Sequence, residues 1–266
     1  MRNLLNRDKN LLGCVCDNTE KHPPVKATFV GCSSKEKQLF STSTCLLSIS
    51  VGSRAHEGEK FYSTINLVNK TFKACDILIA DTIHRHTLKL TYPKKDILTL
   101  QIKAKTLGDN WLQRNKKIYT QLKIPYNILR CDEYLNHKFF KKKLEEIDEL
   151  YDADKQYSDL FKLSIEQYLN RYNNKEKNNQ LNYEFSFFHC LQYLKEECAI
   201  FCLLAKKQYG FEVYPSNRSI ALEATWEKLI SPHYLNVLKF ARIKLKTKNK
   251  KTIGKVENKK PCQLEV

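Results

Sequence analysis

The sequence predicts a single α/β domain built on a mostly parallel central sheet, and three observations lead there. The first is a pair of apolar runs, TCLLSISVG at 44–52 and ACDILIADT at 74–82, which lack strict alternation and so read as strands covered on both faces. The second lies between them: EGEKFYSTINLVNKTF at 57–72 sets apolar residues at 61, 65, 67, 68 and 72, the spacing of one helical face. Strand, helix, strand in that order implies a parallel pair joined by a right-handed crossover. The third is punctuation: 7 glycines and 7 prolines in 266 residues argue against a loop-dominated fold, in a chain long enough for one large core.

The elements follow in order. Residues 1–25 carry little periodicity and read as an N-terminal extension, whose opening MRNLLNRDKNLLG is too charged for a signal peptide. KATFVGC at 26–32 is a short edge strand. After the strand–helix–strand unit, 97–122 reads as a basic helix and IPYNILRC at 124–131 as a third strand. HKFFKKKLEEIDELY at 137–151 is a helix with lysines crowding its first turns, and 158–172 and 179–208 are long helices. FEVYP at 211–215 is a short strand, SIALEATWEKLI at 219–230 a helix and NVLKFARIKLK at 236–246 the last strand. The catalytic domain is therefore placed at 26–246, followed by a basic tail at 247–266. Lys244 to Lys260 hold eight lysines and one glutamate, too polar a stretch to pack, so the tail is expected to be disordered, either an electrostatic arm for RNA or a solubilising extension. No internal repeat is present.

Composition narrows the partners. Lys and Arg number 46 against 29 acidic residues, a formal charge of +17. A field of that sign attracts polyanions, with nucleic acid first among them; the alternative is a lysine-rich, solvated surface. No apolar stretch reaches the roughly 18 residues of a membrane span, so no membrane association is expected. The ten cysteines are scattered and, without an export signal, read as reduced thiols of a cytoplasmic protein. Cys190, Cys198 and Cys202 fall in an apolar helical pattern and read as core. Cys14-Val15-Cys16 lacks a second pair at zinc-site spacing, so no metal is expected.

Ser50 closes the first strand at the carboxyl edge, where open α/β sheets bind ligands, with Ser53 and Asp81-Thr82 as neighbours. Three chemistries compete for it. A hydrolase elbow needs G-x-S-x-G, and Ser48 stands where the first glycine belongs. A nucleotide site needs a glycine-rich cradle after a strand, and none follows. A substrate that arrives already activated would need neither a strong base nor ATP. Further on, Tyr193 and Glu197 lie one turn apart on an apolar helix. A half-buried carboxylate needs a partner there, either a neighbouring lysine or a substrate ammonium. Tyr214 adds a second phenol at a strand end. His84-Arg85-His86, just past Asp81-Thr82, reads as a structural or solvent-facing group, with a place near substrate as the alternative.

Taken together, SISVGSRAHEGEKF, the DT at 81–82, LQYLKEE and EVYP resemble, in order and spacing, the cyclodipeptide synthases. These are tRNA-dependent enzymes with a Rossmann fold like the catalytic domain of class I aminoacyl-tRNA synthetases. The resemblance runs from about residue 44 to 230. It implies Ser50 as the catalytic serine, Tyr193 and Glu197 as the helix pair and Tyr214 as the downstream tyrosine. Ser53 and Tyr214-Pro215 match the XYP subfamily, and Asn170 in QYLNRY matches a pocket asparagine. Ser48 departs from the glycine many members carry, which alters the size of the aminoacyl pocket. Leu46, Ser48, Gly52, Ser53, Leu78, Ala80, Asn170, Ile200 and Pro215 are the substrate-binding set; of these Leu46, Ser48, Leu78, Ala80, Asn170 and Ile200, small or apolar in the main, point to small or aliphatic aminoacyl groups.

The resemblance further implies a ping-pong reaction. Two aminoacyl-tRNAs give a cyclic dipeptide through aminoacyl- and dipeptidyl-enzyme intermediates on Ser50, without ATP and without a cofactor. The tRNA would lie on Lys103, Lys105, Arg114, Lys116 and Lys117 and on Lys138, Lys141, Lys142 and Lys143, reading shape and phosphate rather than bases. A monomer is the default expectation. Two other readings stand beside it: a non-catalytic tRNA- or rRNA-binding protein, and a serine acyltransferase or hydrolase acting on a small thioester.

Overall fold

A computed structural model of the chain describes residues 25–175 and 182–247. The N-terminal extension before residue 25, Cys14-Val15-Cys16, the start of the helix expected at 179 and the basic tail after residue 247 lie outside the described residues.

Six strands form one sheet: β1 (Val25–Val30), β2 (Thr44–Ser50), β3 (Ala74–Ala80), β4 (Tyr126–Arg130), β5 (Phe211–Tyr214) and β6 (Lys239–Thr247), in the order β1-β6-β5-β2-β3-β4. Every neighbouring pair is parallel except β1 with β6, so the antiparallel strand sits at an edge as KATFVGC suggested. From β2 the chain proceeds outward to β3 and β4, then returns to the other side of β2 for β5 and β6. The strand order therefore reverses between β2 and β5, and the crevice beyond their carboxyl ends is the switch point at which such sheets bind ligands.

The helices are α1 (Ser34–Leu39), α2 (Gly58–Thr71), α3 (Arg85–Thr91), α4 (Ile97–Tyr119), α5 (Cys131–Leu135), α6 (Phe140–Ala153), α7 (Lys155–Lys175), α8 (Tyr183–Ala205) and α9 (Ile220–Thr225). The period-2 alternation of a strand divides β2 between two layers. Cys45, Leu47 and Ile49 face α2 and α4, packing with Phe61, Ile65, Val68 and Trp111. Leu46 faces the other way, into a core with Tyr157 and Phe161 of α7 and Cys198 and Leu204 of α8. Both faces are covered, which is why β2 and β3 read as continuous apolar runs. Helix α8 is buried on most sides, and its three cysteines pack in the core as expected.

Helix boundaries are set by caps that the apolar periodicity does not carry. Asp96 accepts from Thr99 N and starts α4, Asn182 accepts from Phe185 N and starts α8, and Ser219 accepts from Leu222 N and starts α9. The helix expected over 219–230 is divided, since Trp226–Ile230 forms a π turn after α9. The short helices α1, α3 and α5 have no counterpart in the sequence reading; one or two turns show no usable periodicity.

One close approach fixes α4 against the sheet. Asp81, fully buried after β3, accepts from Thr82 N at 2.7 Å and pairs with Arg130 from the end of β4, Nε to Oδ2 at 2.8 Å. Gly108 of α4 passes over this pair, where a Cβ would lie 2.5 Å from Asp81 Oδ2 and 2.9 Å from Arg130 Nη2. Only a residue without a side chain lets the helix lie there.

Candidate active site

Ser50 is the last residue of β2. The turn that follows returns Ser53 N to Ser50 O at 3.1 Å, with Gly52 at φ 84, a left-handed conformation glycine adopts without strain. The turn leaves the Ser50 side chain at the crevice. Tyr214, last residue of β5, meets it there: Ser50 Oγ and Tyr214 Oη are 2.8 Å apart. Across the same cavity, Tyr193 Oη donates to Glu197 Oε1 at 3.4 Å, one turn along α8. All four residues line a single cavity of about 1100 Å³.

Electrostatics assign each group a form. Burial of the Glu197 carboxyl, with Glu212 nearby, pushes its pKa up to about 7, and the Tyr193 hydrogen bond opposes that rise. The carboxylate thus sits at the margin of ionisation until a cation arrives. Burial also raises the phenols of Tyr193 and Tyr214, so both stay protonated at neutral pH.

A histidine does stand close to Ser50, although spacing gave no sign of it. His56 is fully buried and its Nδ1 accepts from Ser50 N at 3.0 Å. Its pKa is pushed down to about 4 by burial, so the ring is neutral. The same Nδ1 stands 3.2 Å from Ser50 O, and Nε2 has no hydrogen-bond partner among the described residues. Trp111 Nε1 holds the His56 carbonyl at 3.0 Å. His56 therefore braces the backbone of the turn and makes no hydrogen bond to the Ser50 hydroxyl.

Of the substrate-binding set, Ser48, Gly52, Ser53, Leu78, Ala80 and Ile200 line the cavity. Leu46, Asn170 and Pro215 do not. Leu46 shares the face of Ser48 but lies one strand repeat deeper, fully buried beneath the floor. Asn170 is exposed on α7, whose cavity face is Ser164, Gln167, Tyr168 and Arg171 instead. Pro215 is half-buried beside Tyr214, outside the wall. The wall also contains Glu212 and Arg218, which sequence reasoning passed over. An acid inside the apolar strand FEVY, two residues before Tyr214 and hence on the same face, was the available signal.

His84, Arg85 and His86 do not line the cavity. Arg85 Nη2 pairs with Glu196 Oε1 at 2.5 Å and His86 Nε2 stands 3.1 Å from the same oxygen, tying α3 to α8 beside Glu197. Among the described residues no group of three or more His, Cys, Asp or Glu is placed to hold a metal ion.

The basic residues divide by whether they are already engaged. Lys105 pairs with Asp132, Arg114 with Glu57 and Lys143 with Glu146. Lys103 lies over the Tyr92 ring, Lys138 over Phe139, and Lys141 reaches Glu145 only at 3.9 Å. Lys116, Lys117 and Lys142 are exposed and make no ion pair among the described residues. Lys138 precedes α6 rather than belonging to it.

No family model and no curated protein matches the chain. Solved structures do. The cyclodipeptide synthase of Fluoribacter dumoffii is 38% identical, with a TM-score of 0.81, over 84% of this chain and 99% of its own. The cyclodipeptide synthase of Candidatus Glomeribacter gigasporarum, solved bound to Phe-tRNAPhe, has a TM-score of 0.64 at 18% identity, over 86% of this chain and 98% of its own. A Mycobacterium tuberculosis protein whose structure related cyclodipeptide synthetases to type I tRNA synthetases has a TM-score of 0.56 at 8% identity, over 85% of this chain and 95% of its own. At these lower identities the likeness is one of fold.

Proposed function

The chain belongs to the cyclodipeptide synthases, and from that premise we propose that it joins two aminoacyl groups, each delivered on a tRNA, into a 2,5-diketopiperazine by a ping-pong route through Ser50. The observation that carries this reading is the 2.8 Å contact of Ser50 with Tyr214 in a cavity shared with Glu197, with no histidine bonded to the serine hydroxyl. A serine without a basic partner suits an ester activated before it arrives.

Ser50 Oγ attacks the aminoacyl ester carbonyl, the bond to the ribose oxygen breaks, and an aminoacyl-enzyme remains as tRNA leaves. The serine proton goes to the departing ribose oxygen, relayed by the substrate's own vicinal hydroxyl, since the Tyr214 phenol is too weak a base. Glu197, held by Tyr193, takes the substrate ammonium and so places the acyl carbon over Oγ. The amine of the Ser50-bound aminoacyl group attacks the ester carbonyl of a second aminoacyl-tRNA, the bond to that ribose oxygen breaks, the second tRNA leaves, and a dipeptidyl-enzyme remains esterified to Ser50. The free amine of that dipeptide then attacks the Ser50 ester carbonyl, Ser50 Oγ leaves as the ring closes, and Tyr214 passes the amine proton to it. No ATP is consumed. The exposed Lys116, Lys117 and Lys142 are the first candidates for tRNA phosphate, and the XYP assignment rests on Ser53 and Tyr214-Pro215.

The test is to mix purified protein with labelled aminoacyl-tRNA, without ATP, and weigh the intact enzyme. An aminoacyl adduct on Ser50, absent in Ser50→Ala, and a diketopiperazine in the medium are expected. Tight, salt-sensitive binding of uncharged tRNA with no adduct and no product would favour the non-catalytic RNA-binding reading, motivated by the charge of +17.

A further inference from the structure

Two rungs of side chains cross the crevice between β2 and β5. The outer rung is Ser50 with Tyr214. The inner rung, one strand repeat or roughly 7 Å deeper, is Ser48 with Glu212. Both inner residues are more than nine-tenths buried and line the cavity. Glu212 is unequally satisfied. Its Oε2 receives Arg218 Nε and Nη2, both at 2.7 Å. Its Oε1 has one hydrogen bond among the described residues, from Ser48 Oγ at 3.5 Å, the outer limit of such a contact. Arg218 is spoken for as well: Nη1 holds Glu223 at 3.0 Å and Nη2 the Leu238 carbonyl at 2.6 Å. The cavity floor thus offers an acceptor oxygen with spare capacity, fixed by a buried ion pair and set back from bulk solvent.

We propose that Glu212 Oε1, with Ser48, selects the first aminoacyl group for a neutral side chain that ends in a hydrogen-bond donor. This rests on the proposed reaction at Ser50. Glu197 and this rung line one cavity, and Glu212 lies close enough to act on the Glu197 carboxyl, so a substrate whose ammonium is held by Glu197 brings its side chain within reach of the rung. A hydrocarbon side chain there would cover Oε1 without replacing the water it displaces. An acidic side chain would face Glu212 itself, and a cationic one would stand against Arg218. The depth of the rung favours an amide, imidazole, phenol or indole over the short hydroxyl of serine. This departs from the small or aliphatic preference drawn from Leu46, Ser48, Leu78, Ala80, Asn170 and Ile200, a set that held Ser48 but not Glu212.

The experiment offers tRNAs charged with each of the twenty amino acids to the wild-type enzyme and weighs the aminoacyl-enzyme formed in the first step. A donor-ended neutral side chain should load at least about 100-fold more efficiently than its hydrocarbon isostere, because a site built on a polar contact rejects the analogue that lacks it. The paired variant Glu212→Leu with Arg218→Met, which leaves no lone buried charge, should reverse that order, and Ser48→Gly should weaken it. Loading of hydrocarbon side chains alone by wild type, or an order unchanged in the paired variant, overturns the inference while leaving the reaction intact. No adduct from any of the twenty tRNAs sinks the proposed reaction and this inference with it.

Discussion

Ser50, Tyr193, Glu197 and Tyr214 stood out singly, as two strand ends and one helix face; the ordered resemblance to the cyclodipeptide synthases joined them as a set, and the fold brings all four to one cavity. What they do can be separated experimentally. Glu197 has a raised pKa, about 7 against an ordinary 4.5, so between those values the folded state holds a proton the unfolded chain has released. Stability therefore falls as pH rises from 4.5 toward 7 and is lowest above it. Glu197→Gln is expected to be more stable than wild type at pH 8, on the order of 2 kcal/mol, while losing aminoacyl transfer; thermal melts at pH 5 and pH 8 check the sign, since the difference should shrink at the acid end. In wild type the first-step kcat/KM should rise through pH 7 as the carboxylate forms, and the Gln variant should lack that limb. Tyr214→Phe keeps the ring and removes the hydroxyl proposed to relay the proton. Ring closure should slow by about 10²–10⁴, leaving dipeptidyl-enzyme to accumulate in the mass spectrum. Glu212 was signalled by an acid on the Tyr214 face of an apolar strand and passed over, while Arg218 in its loop had no signal; their link to Ser48, 164 residues from Glu212, comes only with the fold.

Among the elements, β2, α2 and β3 were readable nearly to the residue, since they follow one another and pack locally. The turn that presents Ser50 was half readable. Gly52 marks it, but His56 bracing its backbone and Trp111 holding His56 belong to long-range packing that periodicity does not encode. The same holds for the lock between α4 and the sheet. Gly108 looks like a flaw in a helix until Asp81 and Arg130 are seen beneath it. Gly108→Ala should gain helix propensity yet lose net stability, about 1–3 kcal/mol, through overpacking against that pair. A melting temperature at or above wild type would contradict the close approach. Because Asp81 caps the turn after β3 at the crevice edge, activity is expected to fall along with stability.

Over the whole molecule, the layered sheet was legible and its strand order was not, since apolar runs announce strands without saying which pair. The charge of +17 was plain, and the fold qualifies it: Lys105, Arg114 and Lys143 are already paired. Affinity for aminoacyl-tRNA should fall steeply with salt. Lys116→Glu with Lys117→Glu should weaken it for every tRNA alike, flattening the log–log salt slope by about 1 for each phosphate left without its lysine. Filter binding at several salt concentrations measures both. The reversal of strand order between β2 and β5 carries a consequence for how the protein is made. Ser50 leaves the ribosome long before Tyr214, its partner 164 positions later. A chain that has emerged only as far as α6 carries Ser50 but neither Glu197 nor Tyr214. On the proposed reaction, a chain cut after α6 should therefore form no aminoacyl-enzyme with charged tRNA.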